Sequence, residues 1–230
     1  MRLTMVACGS VLMMALAPAA PAQRQTFSAQ VLAVSGMSAG GGAALEPDDE
    51  IDGGEIWIAD LNTNTHSKIA GSGYRTPVFA PGGDAVLAIR DDVIVKIPVA
   101  GGKAEDVFQL DSISKLVGFV PDGRLLVTAD DNNMIGFLAL PDGKARWLTP
   151  DDASAEDKAA VERIRGWERV YGGTKVMVQG KAAGGKRSTD VYAQESGKEP
   201  VNVSAGEGVS CGQPAFLPDH KLVVYVRAQP

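Results

Sequence analysis

Four groups of residues in this chain have types and spacings that could do chemistry. The first is Gly36-Met37-Ser38-Ala39-Gly40, a G-x-S-x-G sequence that follows the apolar run Val31-Leu32-Ala33-Val34. In an α/β-hydrolase such an elbow exposes a nucleophilic serine between strand and helix, and His220 with an intervening Asp would complete the order Ser, Asp, His. An elbow normally follows several sheet strands, and too little chain precedes this one. A serine hydrolase using Ser38 is therefore the most remote reading. The second group is acidic: Asp48, Asp49 and Glu50, then Asp91 and Asp92, then Asp130 and Asp131. Grouped carboxylates can recognise a basic or mixed-charge partner or hold a divalent cation. They also arise simply because Asp suits turns and keeps a surface soluble. No Asp-x-Asp-x-Asp-Gly loop is present, so no metal site is assigned. The third group, His66 and His220, has no cysteine pair beside it and makes no zinc pattern. The fourth is Cys211, which lacks any local catalytic signature and reads as a buried thiol. No phosphate loop, dinucleotide fingerprint or basic aromatic stripe is seen, and no catalytic residue or cofactor is assigned.

The elements that must position these residues are announced by a repeat. Val78-Phe79-Ala80-Pro81-Gly82-Gly83-Asp84, followed by Ala85-Val86-Leu87-Ala88-Ile89, returns as Gly118-Phe119-Val120-Pro121-Asp122-Gly123-Arg124 with Leu125-Leu126-Val127. It returns again as Ala215-Phe216-Leu217-Pro218-Asp219-His220-Lys221 with Leu222-Val223-Val224-Tyr225. Each reads as strand, tight turn, strand, because Pro presets φ and Gly or Asp tolerates the corner. Between them lie hairpins of a second kind, such as Glu55 to Leu61, a polar turn, and His66 to Ala70. The two kinds alternate, so each unit of about 40 residues holds four antiparallel strands, A to D. One such sheet cannot bury both faces, but radially packed sheets can.

The predicted fold class is therefore all-β, a β-propeller of four or five four-stranded blades. Its repeats fall at about 27–71, 74–110, 114–149 and 167–204, with a partial one at 210–227. The C-terminal strands could join the strands of residues 55 to 70 to close four blades, or remain as half of a fifth. One short surface helix is inserted after Pro150, where Ser154 and Asp157 fit a capping box in its Asp variant and Gly166 supplies a stop. In such a blade the B to C turns share one rim. That rule gathers Asp48, Asp49, Glu50, Asp91, Asp92, Asp130 and Asp131 on one rim, the candidate partner-binding face. Lys181, Lys186 and Arg187 break the acidic pattern in the fourth unit's turn.

Composition bounds the rest. Residues 1–22 read as a secretory signal, with Arg2, a short apolar core over Val11 to Ala17 and a small-x-small site at Ala20-Pro21-Ala22. The core is too short to span a bilayer, and no second candidate span follows. The single domain 23–230 would lose one base of 22 and none of 28 acids, giving 21 − 28 = −7. A net acidic surface disfavours nucleic acid and anionic membrane as partners. With Cys8 removed, Cys211 has no partner for an intrachain disulfide.

The alternation of Phe-x-Pro-Asp/Gly-Gly turns with strands such as Glu55-Ile56-Trp57-Ile58-Ala59-Asp60-Leu61 resembles the TolB-like, WD-related propeller repeats of bacterial envelope proteins, over roughly residues 54 to 227. The resemblance implies a periplasmic or secreted protein whose propeller face binds another envelope protein or a small ligand. Similar repeats also serve as the gating propeller of prolyl-oligopeptidase-like peptidases. The expected function is a protein-binding or scaffold module. The alternative is a metal-dependent propeller hydrolase or lyase with its site in a central channel.

Overall fold

The computed structural model describes residues 51–109, 113–120, 122–129, 134–140, 144–148, 153–159, 170–171, 173–183, 186–204 and 209–228. The described chain is all-β apart from a helical segment at 155–159 (α1) and a short 3-10 turn at Pro218–His220. Its strands are β1 (Gly54–Asp60), β2 (Thr65–Phe79), β3 (Ala85–Arg90), β4 (Val93–Pro98), β5 (Glu105–Gln109), β6 (Ile113–Phe119), β7 (Leu125–Ala129) and β8 (Met134–Ala139). After them come β9 (Lys144–Trp147), β10 (Val170–Tyr171), β11 (Thr174–Ala183), β12 (Lys186–Glu195), β13 (Val201–Asn202), β14 (Cys211–Leu217) and β15 (Leu222–Arg227).

All pairings are antiparallel, and they resolve into four four-stranded units. Units three and four are separate sheets, ordered β6-β7-β8-β9 and β10-β11-β12-β13. Units one and two share one sheet, ordered β14-β15-β1-β2-β3-β4-β5. Two features join them. First, the C-terminal hairpin lies beside the first described strand, with Glu55 opposite Arg227, Ile56 opposite Val226 and Ile58 opposite Val224. Second, the expected edge strand at His66 to Ala70 and the strand starting at Tyr74 are one continuous β2. Gly71-Ser72-Gly73 supplies no turn there, and the left-handed Gly73 (φ +89°) redirects the strand without breaking it. The first half of β2 pairs β1 and the second pairs β3.

The second strand of each unit explains why the units pack. In β3, β7 and β15 nearly every residue is buried, as continuous apolar runs require when both sheet faces are covered. Alternate residues serve different cores. Val86 and Ala88 join Ile56, Val95, Ile97, Val224 and Val226 between units one and two, whereas Leu87 and Ile89 join Leu116, Leu125 and Val127 between units two and three. Val223 and Tyr225, on the other face of β15, meet Val176, Val191 and Ala193 of unit four. Each fully buried Val, Leu or Ile contributes about 1.5–3 kcal/mol, so these shared faces dominate the stability of the assembly. β11 is different: among its described side chains only Val176 is buried.

The start of the inserted helix matches its predicted cap. The Asp157 amide donates to Ser154 Oγ at 3.0 Å, and Asp157 Oδ2 accepts from the Ser154 amide at 3.3 Å. The remainder of the predicted segment, to Gly166, lies outside the described residues. Asp157 also anchors α1 to unit three, with Oδ1 3.2 Å from Arg124 and Oδ2 2.8 Å from Arg146.

Candidate functional site

Of the seven predicted rim acids, Asp91 and Asp92 are described. They form the two-residue link between β3 and β4, where Arg90 stands opposite Val93, and both are exposed. Asp91 adopts φ +52°, a left-handed corner that Asp tolerates better than most residues. Its carbonyl accepts a hydrogen bond from Arg75 Nη2 at 3.2 Å, and the same guanidinium reaches Ser114 O at 2.8 Å and Ile113 O at 3.3 Å. The acidic turn is thereby tied to the first strand of its own unit and of the next. Asp48, Asp49, Glu50, Asp130 and Asp131 lie outside the described residues, as does Ser38.

The other features at this end of the units have particular positions. In unit one, β1 begins at Gly54 and β15 ends at Arg227, where unit two carries the Asp91-Asp92 turn. Arg227 lies over the Trp57 ring at 4.9 Å, while the Trp57 indole donates to Glu55 at 2.9 Å and Lys68 Nζ lies 3.0 Å from Glu55. The Trp57 indole first, and Lys68 after it, hold the Glu55 carboxyl below its ordinary pKa. In unit four, Lys181, Lys186 and Arg187 are not in a turn as expected. They belong to strands, because β11 and β12 stay in register to the pair Ala183 and Lys186.

Of the two histidines, His220 ends the 3-10 turn at the opposite end of unit one, while His66 lies in β2; both are exposed. The ring of His220 sits beside Gly83, within van der Waals reach of where a Cβ would stand. Among the described residues no three of His, Cys, Asp and Glu come together as metal ligands. Cys211 is fully buried in the core between units one and four.

Sequence reasoning missed a chain of polar contacts between the first strands of successive units. Gln213 Nε2 donates to Ile51 O at 3.0 Å, Gln213 Oε1 accepts from the Thr76 amide at 2.6 Å, and Thr76 Oγ1 accepts from the Leu116 amide at 3.2 Å. Thr76 (φ +48°) and Gln213 (φ +49°) are both left-handed non-glycines preceding proline, a conformation costing about 1–3 kcal/mol that the surroundings must enforce. Each sits at a break in strand register, between Arg75 and Val78 and between Gly212 and Ala215. The bulge turns a backbone N–H or a side chain out of its own sheet toward the neighbouring unit. The signal was present in the longer motif, Thr76-Pro77-Val78-Phe79-Ala80-Pro81 against Gln213-Pro214-Ala215-Phe216-Leu217-Pro218.

Comparison with known proteins adds little to this geometry. No family model and no curated protein matches the chain. Among solved structures, one described as a TolB candidate from Agrobacterium tumefaciens aligns at 16% identity and TM-score 0.37, covering 72% of this chain and 58% of that one. The AtxE2 isopeptidase with Astexin3-dC4 bound aligns at 16% identity and TM-score 0.30, covering 66% of this chain and 29% of that one.

Proposed function

We propose that this protein is an exported four-bladed β-propeller, residues 23–230, that serves as a protein-binding or scaffold module in the bacterial envelope, periplasmic or secreted. The observation that carries the reading is the register joining β15 to β1. With it, β14, β15, β1 and the first half of β2 supply a complete first blade from the two ends of the described chain. Shared cores then link blade four to one, one to two, and two to three. Blades joined in this way present their turns at two rims, and rims are where a rigid scaffold offers variable side chains.

The rim proposed to bind carries the exposed Asp91-Asp92 turn and the Glu55, Trp57 and Arg227 group, and the repeat in the sequence is the ground for adding Asp130 and Asp131 to it. It suits a protein partner of basic or mixed charge. The test is capture of partners from envelope extract on immobilised protein. A parallel column carries Asp91→Asn, Asp92→Asn, Asp130→Asn and Asp131→Asn together. A partner retained by the native protein and lost on the variant, with circular dichroism unchanged, supports the scaffold. Equal retention on both columns removes this rim from consideration.

A further inference from the structure

The hairpin of β11 and β12 is longer than its counterparts. β3 has six residues and β7 five, whereas β11 has ten and β12 ten, paired from Thr174 with Glu195 to Ala183 with Lys186. The pair Gln179 and Asp190 occupies the place that Arg90 and Val93 hold at the end of β3 and β4, counting from the start of the ladder. Four further pairs lie beyond it: Gly180 with Thr189, Lys181 with Ser188, Ala182 with Arg187, and Ala183 with Lys186. At roughly 3.4 Å per residue they make this ladder about 14 Å longer than that of β3 and β4.

Two properties of this arm point to the same occupant. Among the described residues, the neighbours of the hairpin pair it only near its base: β10 pairs β11 at Thr174 and Lys175, and β13 pairs β12 at Tyr192 and Ala193. Among the described residues, no ladder covers either outer edge of the arm from Gly180 to Ala183 or from Lys186 to Thr189. Residues 180–189 hold Lys181, Lys186 and Arg187 with no acid, on a chain whose net charge is −6. An open strand edge is a template for an added strand, and strand addition takes its affinity from main-chain hydrogen bonds.

We propose that this basic two-stranded arm binds an extended acidic segment of another protein by strand addition, with the basic residues selecting its charge. An anionic membrane is the weaker fit. The arm between its basic residues is Gly, Ala, Ser and Thr, with no large apolar side chain to insert, and three basic residues supply only about 3 kcal/mol at a lipid surface. The inference stands on the fourth unit alone, so it holds whether or not the units close into a propeller.

The test uses fluorescence anisotropy of a labelled decapeptide alternating Glu and Val, with its Lys-for-Glu counterpart as control. The full chain is compared with K181E/K186E/R187E. A second variant joins Gln179 directly to Gly184-Gly185 and on to Asp190, trimming the hairpin to the length of β3 and β4. The expected result is binding of the acidic peptide alone, weakened about tenfold or more by charge reversal and by high salt, and lost on trimming. Methylating alternate backbone nitrogens of the peptide should abolish binding. Charge reversal without effect, or methylation without effect, overturns the proposal. Co-sedimentation with phosphatidylglycerol vesicles in the absence of peptide binding overturns it in favour of a membrane. Binding that appears only when Glu46, Asp48, Asp49 and Glu50 are neutralised assigns the arm to the chain's own acidic run and overturns the choice of partner.

Discussion

Replacing Asp157 by Asn tests how the inserted helix is held. The Asp157 side chain is 3% exposed and faces Arg124 and Arg146, whose side chains are 31% and 50% exposed. Burial is the largest single influence and opposes ionisation, but the Ser154 hydroxyl and amide, Arg124 and Arg146 together hold Asp157 below its ordinary pKa. Removing one member of a fully buried pair costs about 3–5 kcal/mol. Both arginines here can turn to water, and Arg124 keeps Asp122 as a partner, so the expected loss is smaller, about 2 kcal/mol. In a chain of this size that lowers Tm by about 4–8 °C. The carboxyl has a depressed folded pKa, so its contribution is present above the unfolded value of 3.8 and is lost as pH falls through the folded value. Urea denaturation of both proteins at neutral pH and near pH 3 reads this directly. The difference between them should be full at neutral pH and shrink in acid. A difference that does not depend on pH, or no difference at neutral pH, would refute the electrostatic account of this anchor.

Further outcomes follow from the same contacts. Gly54→Ala should destabilise by about 2 kcal/mol or more, read by thermal melting, because its Cβ would run into the Arg227 carbonyl across the seam. Gln213→Glu should cost about 1–3 kcal/mol at neutral pH, since a carboxylate cannot donate to Ile51 O. Burial beside a carbonyl raises the pKa of that new carboxyl, so stability should recover as pH falls and the protonated acid regains a donor; denaturation at two pH values measures it. Cys211 should resist a thiol reagent in the native protein and react at the rate of unfolding, as followed by absorbance, because it is fully buried.

Much of the strand pattern was legible because the second strand of each unit declares its two buried faces. Ala85 to Ile89, Leu125 to Val127 and Val223 to Val226 are unbroken apolar runs, and such a run after a Pro-Gly or Pro-Asp corner has little alternative to a strand. The helix cap was legible because Ser154 and Asp157 act within three residues of each other. Features depending on distant neighbours were not. Nothing local to Leu222–Arg227 chooses between pairing with Gly54–Asp60 and beginning a further blade, and nothing in Gly71-Ser72-Gly73 shows that the strand pairing β1 runs on into the strand pairing β3. The extension of β11 was hidden because Gly180, Lys181, Ala182 and Ala183 have low strand propensity. The interunit contacts of Thr76 and Gln213 were hidden because a left-handed residue before proline runs against local preference, and only the adjoining unit supplies its reason.

The described chain's two ends are woven into one sheet. Cross-strand nuclear Overhauser effects in isotopically labelled protein measure this directly. The pairing predicts contacts linking Ile56 with Val226, Trp57 with Tyr225 and Ile58 with Val224, with amides of β1 and β15 exchanging as slowly as those of β3. Absence of those contacts, with fast exchange confined to β1 and β15, would contradict it.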